Sequence, residues 1–170
     1  MSEPVFVEDN LELVHANIGV GGWRNFRGEK TEINKTGKRV FTIFLPQDVA
    51  DYMRELGWFV KERAPYREGG DIQYTIDVEV SYDTKGGKFP PPIVKLKTWD
   101  GVETELTAET VALLDTTDIQ DAKVTLRPYN WTVNGNRGCK AFLQELEVTA
   151  RKPRRVLDGR MNRNDEEEEN

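Results

Sequence analysis

Along much of the chain, apolar and polar side chains alternate with a period of two, the spacing of a half-buried strand. Tyr74, Ile76, Val78, Val80 and Tyr82 fall on one face, with Thr75, Asp77, Glu79 and Ser81 on the other. Residues 39–45 (RVFTIFL) are apolar on both sides, which predicts a central strand. Residues 11–20 predict an opening strand carrying His15, and Gly19, Gly21 and Gly22 predict a bend or bulge before Trp23. Residues 93–98 and 102–106 flank Trp99-Asp100-Gly101, whose Asp-Gly is a hairpin signal. Residues 123–131 and 140–149 flank a Gly-rich tip at 133–138, a second hairpin.

Two segments carry helical spacing. Residues 47–56 follow Pro46, place Val49, Tyr52, Met53 and Leu56 three or four apart, and stop at Gly57. Residues 107–114 begin with Thr107 as N-cap and align Thr110, Val111 and Leu114. Residues 64–72 and 83–92 are loops by their Gly and Pro content. The sum is a mainly β fold: a barrel of about eight strands with two short helices.

Composition sharpens this picture at its end. The 170 residues hold 24 Lys+Arg and 30 Asp+Glu, a net charge of −6, which on its face argues against a nucleic-acid partner. Position reverses that argument. Five of the acids form the run Asp165, Glu166, Glu167, Glu168 and Glu169, so residues 1–164 carry 24 bases against 25 acids. Six bases precede the run: Arg151, Lys152, Arg154, Arg155, Arg160 and Arg163. With Val156, Leu157 and Met161 as its large apolar residues, the segment 151–170 is expected to be a disordered tail, basic and then acidic. Residues 1–150 are expected to form one folded domain.

No apolar run approaches the roughly 20 residues of a membrane helix, and residues 1–10 do not read as a secretory signal. One Cys (Cys139) and one His (His15) leave no internal disulfide and too few soft ligands for structural zinc. A cytoplasmic protein with no metal and no cofactor is expected.

Residues 23–41 (WRNFRGEKTEINKTGKRVF) interleave six bases with Trp23, Phe26 and Phe41 against two acids. Cations that follow phosphates, mixed with rings that stack on bases, suit unpaired nucleic acid. A hairpin with buried rings and a solvated loop is the other reading of this segment. On residues 123–131, Val124 and Leu126 point one way, while Lys123, Thr125, Arg127, Tyr129 and Trp131 point the other. The hairpin partner adds Arg137 and Lys140. Two cations and two large rings outside a core strand predict a binding face. Nothing there reads base edges, so contact is expected to be sequence-tolerant.

The motifs Trp23-Arg24-Asn25-Phe26-x-Gly28, Asn34-Lys35-x-Gly37-x-Arg39-x-Phe41 and Gly57-Trp58 resemble the OB-fold single-stranded-DNA-binding proteins of tailed bacteriophages. So do Arg127-Pro128-Tyr129-Asn130-Trp131-x-Val133-Asn134-Gly135 and Gly138-x-Lys140-Ala141-x-Leu143, the most specific part. The resemblance covers about residues 11–150. It implies an OB-type barrel that coats unpaired DNA in phage replication and recombination, inside the bacterial host. It also implies an acidic tail that contacts replication or recombination proteins and competes for the DNA groove. Many such tails end in an apolar or aromatic residue, whereas Asn170 ends this sequence.

Carried over residue by residue, the resemblance assigns stacking to Trp23, Phe26, Phe41, Tyr129 and Trp131. It assigns phosphate contact to Arg24, Lys35, Lys38, Arg39, Arg127, Arg137 and Lys140, with Asn25 positioning the loop or bonding a base. Two other readings stand beside this non-enzymatic one. Asp77 and Glu79 share a strand face and, with Asp83 or Asp121, have the chemistry of a Mg²⁺-dependent nuclease. A β-barrel that binds only proteins is the second.

Overall fold

The computed structural model describes residues 6–32, 34–65, 67–154, 157, 159 and 160. The acidic run 165–169 and most of the basic stretch after residue 154 lie outside the described residues.

The strands are β1 (Leu11–Leu13), β2 (Asn17–Ile18), β3 (Arg24–Asn25), β4 (Arg39–Leu45), β5 (Lys61–Arg63), β6 (Gln73–Val80), β7 (Ile93–Lys97), β8 (Glu103–Leu106), β9 (Ile119–Val133) and β10 (Asn136–Ala150). Among the described residues they make one ten-stranded sheet whose main pairing path is β1-β9-β10-β6-β4-β2. β10 runs parallel to β6 and to β7, and the other pairs are antiparallel. The path does not close by hydrogen bonds. Its two ends, β1 and β2, are nevertheless neighbours on the chain, three residues apart.

That junction corrects the expected continuous strand over 11–20. His15 takes a left-handed conformation (φ 53°) and breaks it. Before the break β1 pairs with β9 (Leu11 opposite Leu126), and after it β2 pairs with β4 (Ile18 opposite Ile43). The Ala16 amide donates to the Ala122 carbonyl at 2.8 Å within the corner. One segment thus serves two strands on opposite flanks of the sheet, which a straight strand cannot do.

β4 and β6 coincide with the apolar patterns that predict them. In register, Phe41, Ile43 and Leu45 meet Val78, Ile76 and Tyr74, and the first two pairs are buried. Val124, Leu126, Ala141, Leu143, Leu146 and Val148 add the inner face of the β9–β10 hairpin. Helix α1 (Gln47–Leu56) starts after Pro46, is stopped by Gly57 at φ 104°, and buries Ala50 and Met53. Glycine at that cap avoids the Cβ clash of the left-handed conformation.

Two further expectations are corrected. Residues 107–114 do not form an α-helix: a turn held by the Thr110 and Val111 amides on the Thr107 carbonyl leads into a 3₁₀ helix, Val111–Asp115. A run this short, with Thr at 107 and 110 and Val at 111, favours single tight turns over a cooperative helix. The Gly-rich tip at 133–138 is tighter than expected. Asn134 and Gly135, at φ 51° and 80°, form a two-residue turn, and the strands run up to it on both sides.

Candidate nucleic-acid interface

On the face of the sheet turned away from the core, register places Val40, Thr42 and Phe44 of β4 beside Glu79, Asp77 and Thr75 of β6. The β9–β10 hairpin continues this face with Trp131 opposite Gly138, Tyr129 opposite Lys140 and Arg127 opposite Phe142. Alternation therefore collects Arg127, Lys140, Tyr129 and Trp131 of the hairpin on one surface.

Gly138 explains the pose of Trp131. A Cβ built on Gly138 would lie 2.3 Å from Cζ2 of the indole, so the ring lies across the bare backbone of β10. The indole is thereby held at one edge against the sheet and remains 37% exposed. Beside it Tyr129, 42% exposed, meets Phe142 edge-on at 5.9 Å and Phe89, from the loop before β7, at 6.3 Å. The Arg127 guanidinium sits between Phe89 and Phe142, 5.0 and 5.1 Å from their centroids. Its Nε is buried with no acceptor among the described residues, and burial pulls its pKa below the ordinary value. A cation held on aromatic faces without a counter-ion is a ready anion partner.

Next to this aromatic shelf lies a cleft of about 310 Å³ lined by Lys38, Val40, Phe59, Lys61, Glu79 and Lys140, among others. Lys38 and Lys140 reach the same oxygen, Oε1 of Glu79, at 3.6 and 3.5 Å. Lys61 donates to Oδ2 of Asp77 at 2.7 Å, while the Thr42 hydroxyl donates to its Oδ1. Burial pushes the Asp77 carboxyl up. The hydrogen bonds from Lys61 and Thr42, with the charges of Lys61 and Arg63, outweigh that and hold it below its ordinary value. Further along, Arg63 donates from Nε to the Thr75 hydroxyl and lies 4.6 Å over the Trp23 ring. Trp23 is half-buried, edge-on to Phe44 at 5.2 Å.

The loop between β3 and β4 ends at Lys38 in this cleft, and two asparagines shape it. Asn25 and Asn34 both donate from Nδ2 to the Glu29 and Lys38 carbonyls, and their Oδ1 atoms accept the Glu29 and Lys38 amides. Gly28 and Gly37 close its neck, where a Cβ on Gly28 would stand 2.7 Å from the Gly37 carbonyl oxygen. Lys35 is exposed within the loop. Asn25 is therefore a scaffold of this loop.

Several expected contact residues are corrected. Phe26 and Phe41 are fully buried and stack on each other at 4.8 Å, leaving no ring face for a base. Arg24 is buried, its Nε donating to the Gly19 carbonyl and its Nη1 to those of Leu114 and Thr117. Burial lowers its pKa against the raising charges of Asp115 and Asp118, and the side chain ties β3 to the 3₁₀ helix. Arg39 pairs with Val80, on the opposite side of β4 from Val40, and donates to the Phe26 and Ala108 carbonyls. Arg137 alternates to the other face of the hairpin from Lys140 and lies over Phe6 at 4.9 Å. The buried-ring reading of residues 23–41 thus holds for Phe26 and Phe41.

The structure brings together Lys38, Lys140, Arg127, Tyr129 and Trp131, with Trp23 at the far end. It adds Lys61, Arg63, Phe59, Phe89 and Phe142, which sequence reasoning passed over. Lys61 and Arg63 share a strand face by alternation, and Phe142 follows Lys140 in the same way. Phe59 and Phe89, outside the strands, carry no such signal.

Three of the four acids of the nuclease reading have a lysine beside them, and the fourth has the imidazole of His15. Asp77 meets Lys61, Glu79 meets Lys38 and Lys140, Asp83 meets Lys85 at 3.1 Å, and Asp121 meets His15 at 3.0 Å. Among the described residues, no three His, Cys, Asp or Glu side chains gather where an ion would fit. Among them, too, no helix is long and apolar enough to cross a membrane.

A twisted sheet with rings and basic side chains on its outer face, between a shaped loop and a hairpin, has the chemistry of a binder of unpaired nucleic-acid strands. The family model of the phage ssDNA-binding domain matches residues 2–154, and the chain belongs to that family. No curated protein matches the sequence. The solved single-stranded DNA-binding protein from bacteriophage Enc34 is similar in fold, with TM-score 0.50 and 10% identity over 93% of this chain and 89% of that one. A structure of that protein in complex with ssDNA aligns at TM-score 0.49 and 13% identity, over 88% and 89% of the two chains. The bacteriophage T7 single-stranded DNA binding protein gp2.5 aligns at TM-score 0.39 and 12% identity, over 92% and 100%.

Proposed function

We propose that this protein binds single-stranded DNA along the outer face of β4, β6, β10 and β9, without regard to sequence, and coats it during phage replication and recombination. Bases stack on Trp131 and Tyr129, with Trp23 at the far end. Phosphates run along Lys35, Lys38, Lys140, Lys61, Arg63 and Arg127. The observation that carries this reading is the pose of Trp131, laid across Gly138 beside Tyr129 and an Arg127 whose buried Nε has no acceptor among the described residues.

The strand order supports an OB-type barrel. The kinked β1–β2 segment, β4, β6, β9 and β10 stand for its five strands, with β6 and β10 as a parallel pair and the β1–β2 corner joining the two flanks. In such barrels, oligonucleotides cross the second and third strands between the loop joining strands one and two and the loop joining four and five. Those elements here are β4 and β6, the loop shaped by Asn25 and Asn34, and the β9–β10 turn. We assign the folded domain to residues 1–150 and a tail to 151–170. The run Asp165–Glu169 is then a handle for replication or recombination proteins in the host cytoplasm.

A gel with fluorescent oligo-dT, run with and without Mg²⁺, tests the function. The expected result is a shifted, intact oligonucleotide in both lanes. Degradation on adding Mg²⁺ favours the nuclease, and no shift in either lane favours a barrel that binds only proteins.

A further inference from the structure

The cleft's lysines do not stand free. Lys38 comes from the loop before β4 and Lys140 from the β9–β10 hairpin, yet both converge on one oxygen of Glu79, on the strand between them. Glu79 is recessed, its side chain 19% exposed against 51% for Lys38 and 46% for Lys140. The lysines thus cover the carboxylate and present their outer sides to solvent.

Exposed ion pairs of this length contribute little to folding. Their effect on an incoming anion is larger in proportion: two cations over one anion offer a single net positive charge where two lysines alone would offer two. We infer that Glu79 is an internal competitor for the DNA backbone. It holds Lys38 and Lys140 in the free protein, yields them to phosphates on binding, and so limits affinity and eases release of the strand. Asp77 stands in the same relation to Lys61, but it also accepts from Thr42 and so belongs to the sheet as well as to the cleft. Glu79, whose pairs with Lys38 and Lys140 lie in the cleft, isolates the effect.

This inference rests on the single-stranded DNA reading above, and wild-type binding of oligo-dT tests that reading separately. Glu79→Gln keeps the shape of the side chain and removes its charge. Titrated with fluorescent oligo-dT, E79Q is expected to bind at least threefold more tightly than wild type at low salt. The log–log dependence of affinity on salt is expected to steepen by about 0.7, one further phosphate contact. In a Lys38→Met/Lys140→Met background, the same substitution is expected to change affinity less than twofold. Glu79→Thr, neutral and strand-favouring, gives the same direction if E79Q folds poorly.

Equal affinity for E79Q and wild type overturns the inference. Weaker binding also overturns it, because Glu79 would then be positioning the lysines. Equal tightening with and without the two lysines overturns it too, since the gain would be general charge and not their release.

Discussion

Trp131 lies against the sheet through the absence of a side chain on its neighbour. Any Cβ at position 138 collides with the indole, and Gly138 itself does not take a left-handed conformation, so Ala fits its backbone. Gly138→Ala is therefore expected to lift the indole off β10 while the fold survives. The expected loss is about 1 kcal/mol or more of oligo-dT affinity, within the range of one base–aromatic stack. A fluorescence titration checks this, and unchanged affinity would show that the contact of the indole with Gly138 is immaterial. At this scale the sequence was only partly legible. Alternation placed Tyr129, Trp131 and Arg127 on one face, because a strand's period settles direction. It could not separate Trp23 from Phe26, or Lys38 from Arg24, because those differ in tertiary partners: Phe26 stacks on Phe41, and Arg24 meets carbonyls some 90 residues away.

Between elements, Asp77 joins three strands. Its own β6 receives Thr42 from β4 and Lys61 from β5 through the two oxygens of one carboxylate. Its folded pKa lies below the unfolded value of about 3.9, so its contribution to stability is complete above that value and is lost as pH falls through the folded pKa. Asp77→Asn is expected to cost about 1 kcal/mol at neutral pH and to flatten the fall in stability below about pH 4. Urea midpoints from neutral to acid pH measure this, and parallel curves for the two proteins would contradict it. β6, by its clean period, and β4, by its apolar run, were readable from residues alone, as was α1 between Pro46 and Gly57. The corner at His15 was not. A left-handed histidine has no pattern of its own, and the corner exists because β9 and β4 lie on opposite flanks of the segment. The 3₁₀ helix at Val111–Asp115 escaped for a related reason: Asp115 accepts the Phe26 and Arg27 amides, a long-range tie.

Across the whole molecule, the net charge of −6 misleads unless it is read by position. Residues 1–164 are nearly neutral, and within them the structure sorts cations from three stretches of chain onto one face: Lys38 before β4, Lys61 and Arg63 on β5, and Arg127 and Lys140 on the hairpin. The acids of the same face sit beneath those cations, so a modest net charge coexists with a basic surface. The central claim is that this face holds unpaired DNA by rings as well as by charge. The most direct test is to titrate fluorescent oligo-dT into wild type and Trp131→Ala across a salt series. The account predicts that W131A binds more weakly by about 1–3 kcal/mol, with the same salt slope, because the ring carries no charge. Equal affinity for the two proteins would contradict it.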